Sequence, residues 1–143
     1  MLTHEIIRRM ELDFHIGPQF VALCKDFYVD EGAQFLLAVI RFEKNPTMDT
    51  AASIYYLHIK EGSPAQVNLT GPEFAEIKQY MESWGAKQKA FANQGVNLHV
   101  GPANSKLFDS AFKTILALLD RKTDSEQKFN QRVAEFLATY HVA

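Results

Sequence analysis

The five histidines of this chain are the residues most able to bind a metal or move a proton, but their spacing favours neither role. They are His4, His15, His58, His99 and His141. No two of them lie two or four positions apart, and the sequence has no CxxC or HExxH motif. A site could assemble from distant residues such as His58 and His99, but a surface or hydrogen-bonded structural role is the better prediction for each. We therefore expect no metal and no cofactor.

The side chains that could act as nucleophiles or acids also lack the setting that catalysis needs. Cys24, the only cysteine, follows the apolar run Phe-Val-Ala-Leu, which predicts a buried and unreactive thiol. Asp26, Asp30 and Glu31 cluster at a predicted turn, where solvated charges are normal. The glycines form neither a GxGxxG loop nor a Walker loop. We expect no catalytic residue, and the sequence favours a non-enzymatic protein.

A possible binding surface lies along residues 53–60, which are rich in β-branched and aromatic side chains and are predicted to form a strand. Alternation in a strand places Tyr56, His58 and Lys60 on one face, and Arg41 on the preceding predicted strand could join them. Aromatic rings beside cations are typical of surfaces that bind single-stranded nucleic acid. Residues 19–61 nevertheless carry four basic and six acidic side chains, which disfavours nucleic acid. An ordinary strand face or a dimer surface is the alternative.

Aromatic residues are more numerous than one small core requires, and several fall in the last two predicted helices. Aromatic side chains are enriched in the centres of interfaces, so a second copy of the chain could cover them. Packing against the rest of the domain is the alternative. The set comprises Phe108, Phe112, Phe129, Phe136 and Tyr140. A pocket for a small ligand near Trp84 and Tyr55 is a further hypothesis.

Length and composition predict one small globular domain over residues 1–143. Apolar residues make up 47% of the chain and charged residues 22%, which is not the composition of a disordered protein. No run of about 18 apolar residues is present, so we expect no membrane span. The first residues lack the layout of a signal peptide, and one cysteine cannot form an internal disulfide, so the cytoplasm is the expected compartment.

The apolar pattern predicts an α+β fold, a small antiparallel β-meander covered by a long helix. An N-terminal helix over residues 1–12 precedes an α+β core over 19–100, and a helical hairpin over 105–140 follows. Strands are predicted at 33–43, 53–60, 65–69 and 96–100, and residues 19–29 are ambiguous between strand and helix. An all-α fold is the alternative, and it requires 33–43 and 53–60 to be buried helices.

Two capping boxes mark predicted helix starts. Thr70, with Glu73 three residues later, should cap a helix that runs to about residue 92. Thr123, with Glu126, should cap the last helix over 124–140.

These observations lead to a non-enzymatic cytosolic binding or adaptor protein that acts through protein–protein contacts and forms a homodimer. A weak single-stranded nucleic-acid-binding protein is the second hypothesis, and a small-ligand-binding domain is the third. The identity of the partner protein does not follow from the sequence.

Overall fold

A computed structural model of the chain describes residues 2–13, 15–95 and 101–139. Within these residues the chain forms seven α-helices, and the fourth continues directly into a π-helical turn at Tyr55–Ile59. The α-helices are α1 (Leu2–Leu12), α2 (Ile16–Lys25), α3 (Asp30–Lys44), α4 (Met48–Ile54), α5 (Gly71–Ala92), α6 (Asp109–Ser125) and α7 (Gln127–Thr139).

The predicted α+β fold with a β-meander is wrong, because the described part of the chain contains helices and no strand. The all-α alternative is the fold that the structure has. Residues 33–43 belong to α3, and residues 53–60 span the end of α4 and the π-helical turn. The predicted strand at 96–100 lies outside the described residues.

The apolar run at 33–43, predicted to be a strand, belongs to a helix that other helices enclose. It contacts α1, α2, α4 and α6, so it buries residues over most of its circumference. Its residues 35–40 are six apolar residues in succession, and the period of so short a run does not distinguish a buried helix from a buried strand. The buried set is Ala33, Phe35, Leu36, Leu37, Val39, Ile40 and Phe42.

The segment 53–60 is helical although its residue types favour strands. Four residues of this segment are buried: Ile54, Tyr55, His58 and Ile59. They form two adjacent pairs four positions apart, which places them on one face of a helix. Strand propensity measures how side chains fit a pleated, half-buried surface, and no neighbouring strand supplies that surface among the described residues.

Residues 65–69, the predicted third strand, form an extended segment without a partner strand. Ala65 and Val67 are buried while Gln66 and Asn68 are exposed, which is the alternation of an extended backbone. The main-chain N–H groups of Ala65 and Val67 donate to the carbonyls of Leu57 and His58, at 3.0 and 2.9 Å. These bonds hold the segment against the π-helical turn.

The ends of the helices confirm one capping box and correct the other. Thr70 accepts a hydrogen bond from the Glu73 N–H, and the Glu73 carboxylate accepts one from the Thr70 N–H, as predicted. Thr123 instead lies inside α6, buried, with its hydroxyl donating to the Asp120 carbonyl at 2.7 Å. The last helix therefore begins at Gln127 without that box.

Candidate functional site

The histidines that the structure describes do not lie together in one cluster. His4 Nε2 lies 2.8 Å from Oδ2 of the buried Asp120, and His15 is exposed beside the first turn of α2. Among the residues that the structure describes, no three His, Cys, Asp or Glu side chains are grouped so as to hold a metal ion. His99 and His141 lie outside the described residues.

Cys24 is buried in α2, as predicted. Burial raises the pKa of its thiol, and the negative charge of Asp30 raises it further. The thiol is therefore protonated near neutral pH, and a protonated thiol is a poor nucleophile.

The predicted surface of Arg41, Tyr56, His58 and Lys60 does not form one stripe, because successive residues of a helix are rotated by about 100°. Tyr56 and Lys60 are exposed on the same face, with Lys60 Nζ 5.3 Å from the centre of the Tyr56 ring. His58 lies on the opposite face and is only 2% exposed. Arg41 is exposed on α3.

His58 has a structural role in the fold. Its Nδ1 lies 3.1 Å from the Ala65 carbonyl oxygen, and its ring packs edge-on against Phe35. Burial lowers the pKa of His58, although the hydrogen bond to Ala65 acts in the opposite direction. The neutral imidazole therefore ties the extended segment at 65–67 to the core.

A largely apolar groove runs between α3 and the helix formed by α4 and the π-helical turn. One part has a volume of about 190 Å³ and a second part, extending towards α2, about 400 Å³. Arg41, Leu57 and His58 line both parts, so the structure places two of the four predicted surface residues here. Leu57, 44% exposed, forms one wall.

Beside this groove lies an exposed helical face that we call the association face: Asp49, Ser53, Tyr56, Leu57 and Lys60. Apart from Leu57, its members follow the 4-3-4 spacing of one side of a helix. Tyr56 is 56% exposed and lies in the middle, Asp49 lies at the N-terminal end, and Lys60 lies at the C-terminal end. The face thus combines a central apolar and aromatic patch with one charge of each sign.

The predicted interface at the last two helices is mostly enclosed within the chain. Phe108, Phe129 and Phe136 are buried and Phe112 is half-buried. Phe108 packs edge-on against Phe35 and Phe42, while Phe129 contacts Phe27 and Phe136 contacts Phe20. These rings join α6 and α7 to α2 and α3. Tyr140 lies outside the described residues.

The small-ligand hypothesis requires a pocket near Trp84 and Tyr55. Trp84 lines a groove of about 560 Å³ along α5. Met48, Tyr80 and Leu107 also line it, and the Tyr80 hydroxyl accepts a hydrogen bond from the Asn104 N–H at 3.0 Å. Tyr55 is not one of its lining residues.

Sequence reasoning missed a second exposed aromatic site, at Tyr28. Tyr28 is 91% exposed and has a φ of 61°, a conformation that L residues other than glycine seldom adopt. It lies at a pocket of about 270 Å³ whose apolar lining includes Val29, Val67, Ile115, Leu118 and Leu119. The acidic residues around it predicted a turn, but no glycine or other feature of the sequence marks Tyr28 as the left-handed residue, so this feature could be found only from the backbone.

No helix in the described part of the chain is long and apolar enough to cross a membrane. No family model matches the sequence, and no curated protein shows significant similarity to it.

Proposed function

We propose that this chain is a non-enzymatic protein-binding domain that forms a homodimer through the association face of α4 and the π-helical turn. The observation that carries the proposal is the exposed stripe with Asp49 at one end, Lys60 at the other, and Tyr56 beside Leu57 between them. Its buried thiol suits a reducing compartment such as the cytoplasm.

The charges at the two ends of the association face favour antiparallel pairing with a second copy. A two-fold axis near Ser53 and Tyr56 brings Asp49 of each copy to Lys60 of the other, because the same surface is used twice. The two charges are about 16 Å apart along the helix, given a rise of 1.5 Å per residue. Parallel pairing would instead place like charges together.

The middle of the face supplies the contact area. Tyrosine is among the residues that contribute most to binding energy when they are buried at the centre of an interface. Tyr56 and Leu57 occupy this position, and Leu57 also borders the apolar groove towards α3. The twelve residues from Asp49 to Lys60 are fewer than the ~20–30 per side of a standard interface. We therefore expect a weak dimer, with a dissociation constant on the order of 10 µM.

Sedimentation equilibrium over a range of concentrations tests the proposal. The wild-type chain should fit a monomer–dimer equilibrium, and Tyr56→Asp should weaken the dimer at least tenfold because it puts a charge at the centre of the contact. Tyr28→Asp is the matched control, since Tyr28 is also an exposed tyrosine but lies outside the association face. Circular dichroism verifies that both variants are folded.

A wild-type chain that stays monomeric at millimolar concentration would overturn the proposal. Equal dimerisation of the wild type and Tyr56→Asp would also overturn it, because the dimer would then use another surface.

A further inference from the structure

The extended segment at 65–68 offers unused main-chain groups on its outer edge. Ala65 and Val67 direct their N–H groups inward to the π-helical turn. Because N–H groups alternate along an extended chain, those of Gln66 and Asn68 point to the other edge. Within the described residues, neither of these two N–H groups donates a hydrogen bond. Inward hydrogen bonds at alternate residues, with the N–H groups between them unbonded, are the pattern found at a sheet edge to which another strand can be added.

Open space lies on both sides of this segment. The pocket at Tyr28 is lined by Gln66, Val67 and Asn68, and the same three residues line a second groove of about 300 Å³ that reaches Phe74 on α5. The 270 Å³ of the first pocket falls just below the size range of sites for drug-sized ligands. Its size and apolar lining suit a single large side chain.

Tyr28 and Leu118 give this pocket an exposed apolar rim. Leu118 is 38% exposed, so both side chains are available to a partner. Tyr28 holds an unfavourable left-handed conformation while its ring is in solvent, so the ring gains little from packing within this chain.

The charged side chains that line these two pockets, among the described residues, are of one sign. Glu31 is the one charged residue among the described residues that line the Tyr28 pocket, and Glu61 is the one charged residue among those lining the second groove. A partner that lies along residues 66–68 therefore meets a carboxylate on either side, which favours a cationic partner.

We infer that residues 66–68 and the Tyr28 pocket bind an extended peptide of a partner protein by strand addition. The peptide has a large apolar side chain that enters the pocket and basic residues that face Glu31 and Glu61. Main-chain hydrogen bonds to Gln66 and Asn68 give part of the affinity, and the pocket selects the apolar residue. This site is separate from the association face, so it does not depend on the homodimer.

Selection from a library of displayed random heptapeptides tests this inference. The full chain is the target, and the Leu118→Asp variant is used to remove peptides that bind elsewhere. The enriched peptides should share one apolar residue flanked by lysine or arginine. A fluorescent copy of the best peptide should then bind in an anisotropy assay, with affinity lowered at least tenfold by Leu118→Asp and by N-methylation of alternate peptide bonds.

Tyr56→Asp is the control that separates this site from the homodimer, and it should leave peptide affinity unchanged. Failure to enrich any peptide over the Leu118→Asp target would overturn the inference. So would binding that is insensitive to N-methylation, because the peptide would then not add as a strand. Loss of the wild-type dimer in Leu118→Asp would assign this surface to a second copy of the chain, and that result too would contradict the peptide site.

Discussion

Tyr28 adopts a left-handed backbone conformation that is unfavourable for a tyrosine. It ends α2 in a Schellman arrangement, in which the Val29 N–H donates to the Cys24 carbonyl at 3.1 Å and the Tyr28 N–H to the Lys25 carbonyl at 3.2 Å. Glycine normally occupies this left-handed position because a Cβ atom destabilises it. A tyrosine here opposes folding, and its exposed ring instead suits binding.

We predict that Tyr28→Gly stabilises the fold by about 1 kcal/mol, because it relieves the left-handed strain and removes a side chain with few contacts. Tyr28→Ala is the control, since it removes the ring but keeps the Cβ, and it should change stability little. Urea denaturation of the three proteins provides the free energies of unfolding. Destabilisation by Tyr28→Gly would show that the ring contributes to the fold.

Glu43 is a second residue whose setting was not visible in the sequence. Partial desolvation of this exposed residue raises the pKa of its carboxyl to about 7, together with a hydrogen bond to Asp109 and the negative charges of Asp109 and Glu11. The folded chain therefore binds more protons than the unfolded chain between the ordinary pKa of 4.5 and about 7. Stability consequently falls as the pH rises through this range.

We predict that Glu43→Gln removes this loss, since glutamine keeps the shape and hydrogen-bonding capacity but does not ionise. The free energies of unfolding of wild type and variant should be similar near pH 4.5 and should diverge by pH 8, with the variant more stable. Urea denaturation at several pH values measures the difference. Parallel pH profiles would contradict the assigned Glu43–Asp109 pair.

The setting of Glu43 could not be predicted from the sequence because it depends on contacts between distant residues. Glu43 and Asp109, like His4 and Asp120, are far apart in sequence and meet only when helices pack. Burial of Cys24 could be predicted because its own neighbours are apolar.

Gly17 and Gly85 both lie within helices, but they differ in how closely a neighbouring element approaches them. A Cβ at Gly17 in α2 would clash with the Leu37 side chain of α3, whereas a Cβ at Gly85 in α5 would meet nothing within 4 Å. The present position of the Leu37 side chain against α2 therefore depends on Gly17 having no Cβ.

We predict opposite effects for the same substitution at these positions. Gly17→Ala should destabilise the fold by about 1–2 kcal/mol, because Leu37 must move within a packed core. Gly85→Ala should stabilise it by up to about 1 kcal/mol through helix propensity. Thermal and urea denaturation of the two variants give the comparison. A neutral Gly17→Ala would mean that Leu37 rearranges without cost.

At the scale of elements, the sequence predicted the helices whose apolar residues recur three or four positions apart, and failed where apolar or strand-favouring residues follow one another directly. α1 and α5 were predicted correctly because α1 has one buried face and α5 begins at a capping box. Residues 33–43 of α3 were predicted as a strand because residues 35–40 form a continuous apolar run. Residues 53–60, at the end of α4 and in the π-helical turn, were predicted as a strand because of their β-branched and aromatic residue types. Strand-favouring residues such as Ile54 and Tyr55 do not decide structure when the surrounding elements are helices.

Two pairs of neighbouring exposed hydrophobic residues lie at different surfaces in the part of the chain that the structure describes. Tyr56 and Leu57 belong to the association face, and Tyr28 and Leu118 to the peptide pocket. The π-helical turn connects them, because its carbonyls at Leu57 and His58 hold the extended segment that borders the pocket. The aromatic excess seen in the sequence belongs mainly to the core, where the rings of α6 and α7 are covered.

The central claim, an antiparallel homodimer through the association face, is tested most directly by exchanging Asp49 and Lys60. Asp49→Lys or Lys60→Asp alone replaces two attractive contacts with two repulsive ones and should raise the dissociation constant roughly tenfold. The double variant Asp49→Lys/Lys60→Asp restores opposite charges and should return it to within about threefold of wild type, with all proteins compared by sedimentation equilibrium at low salt. A double variant that dimerises as weakly as the single variants would contradict the antiparallel dimer.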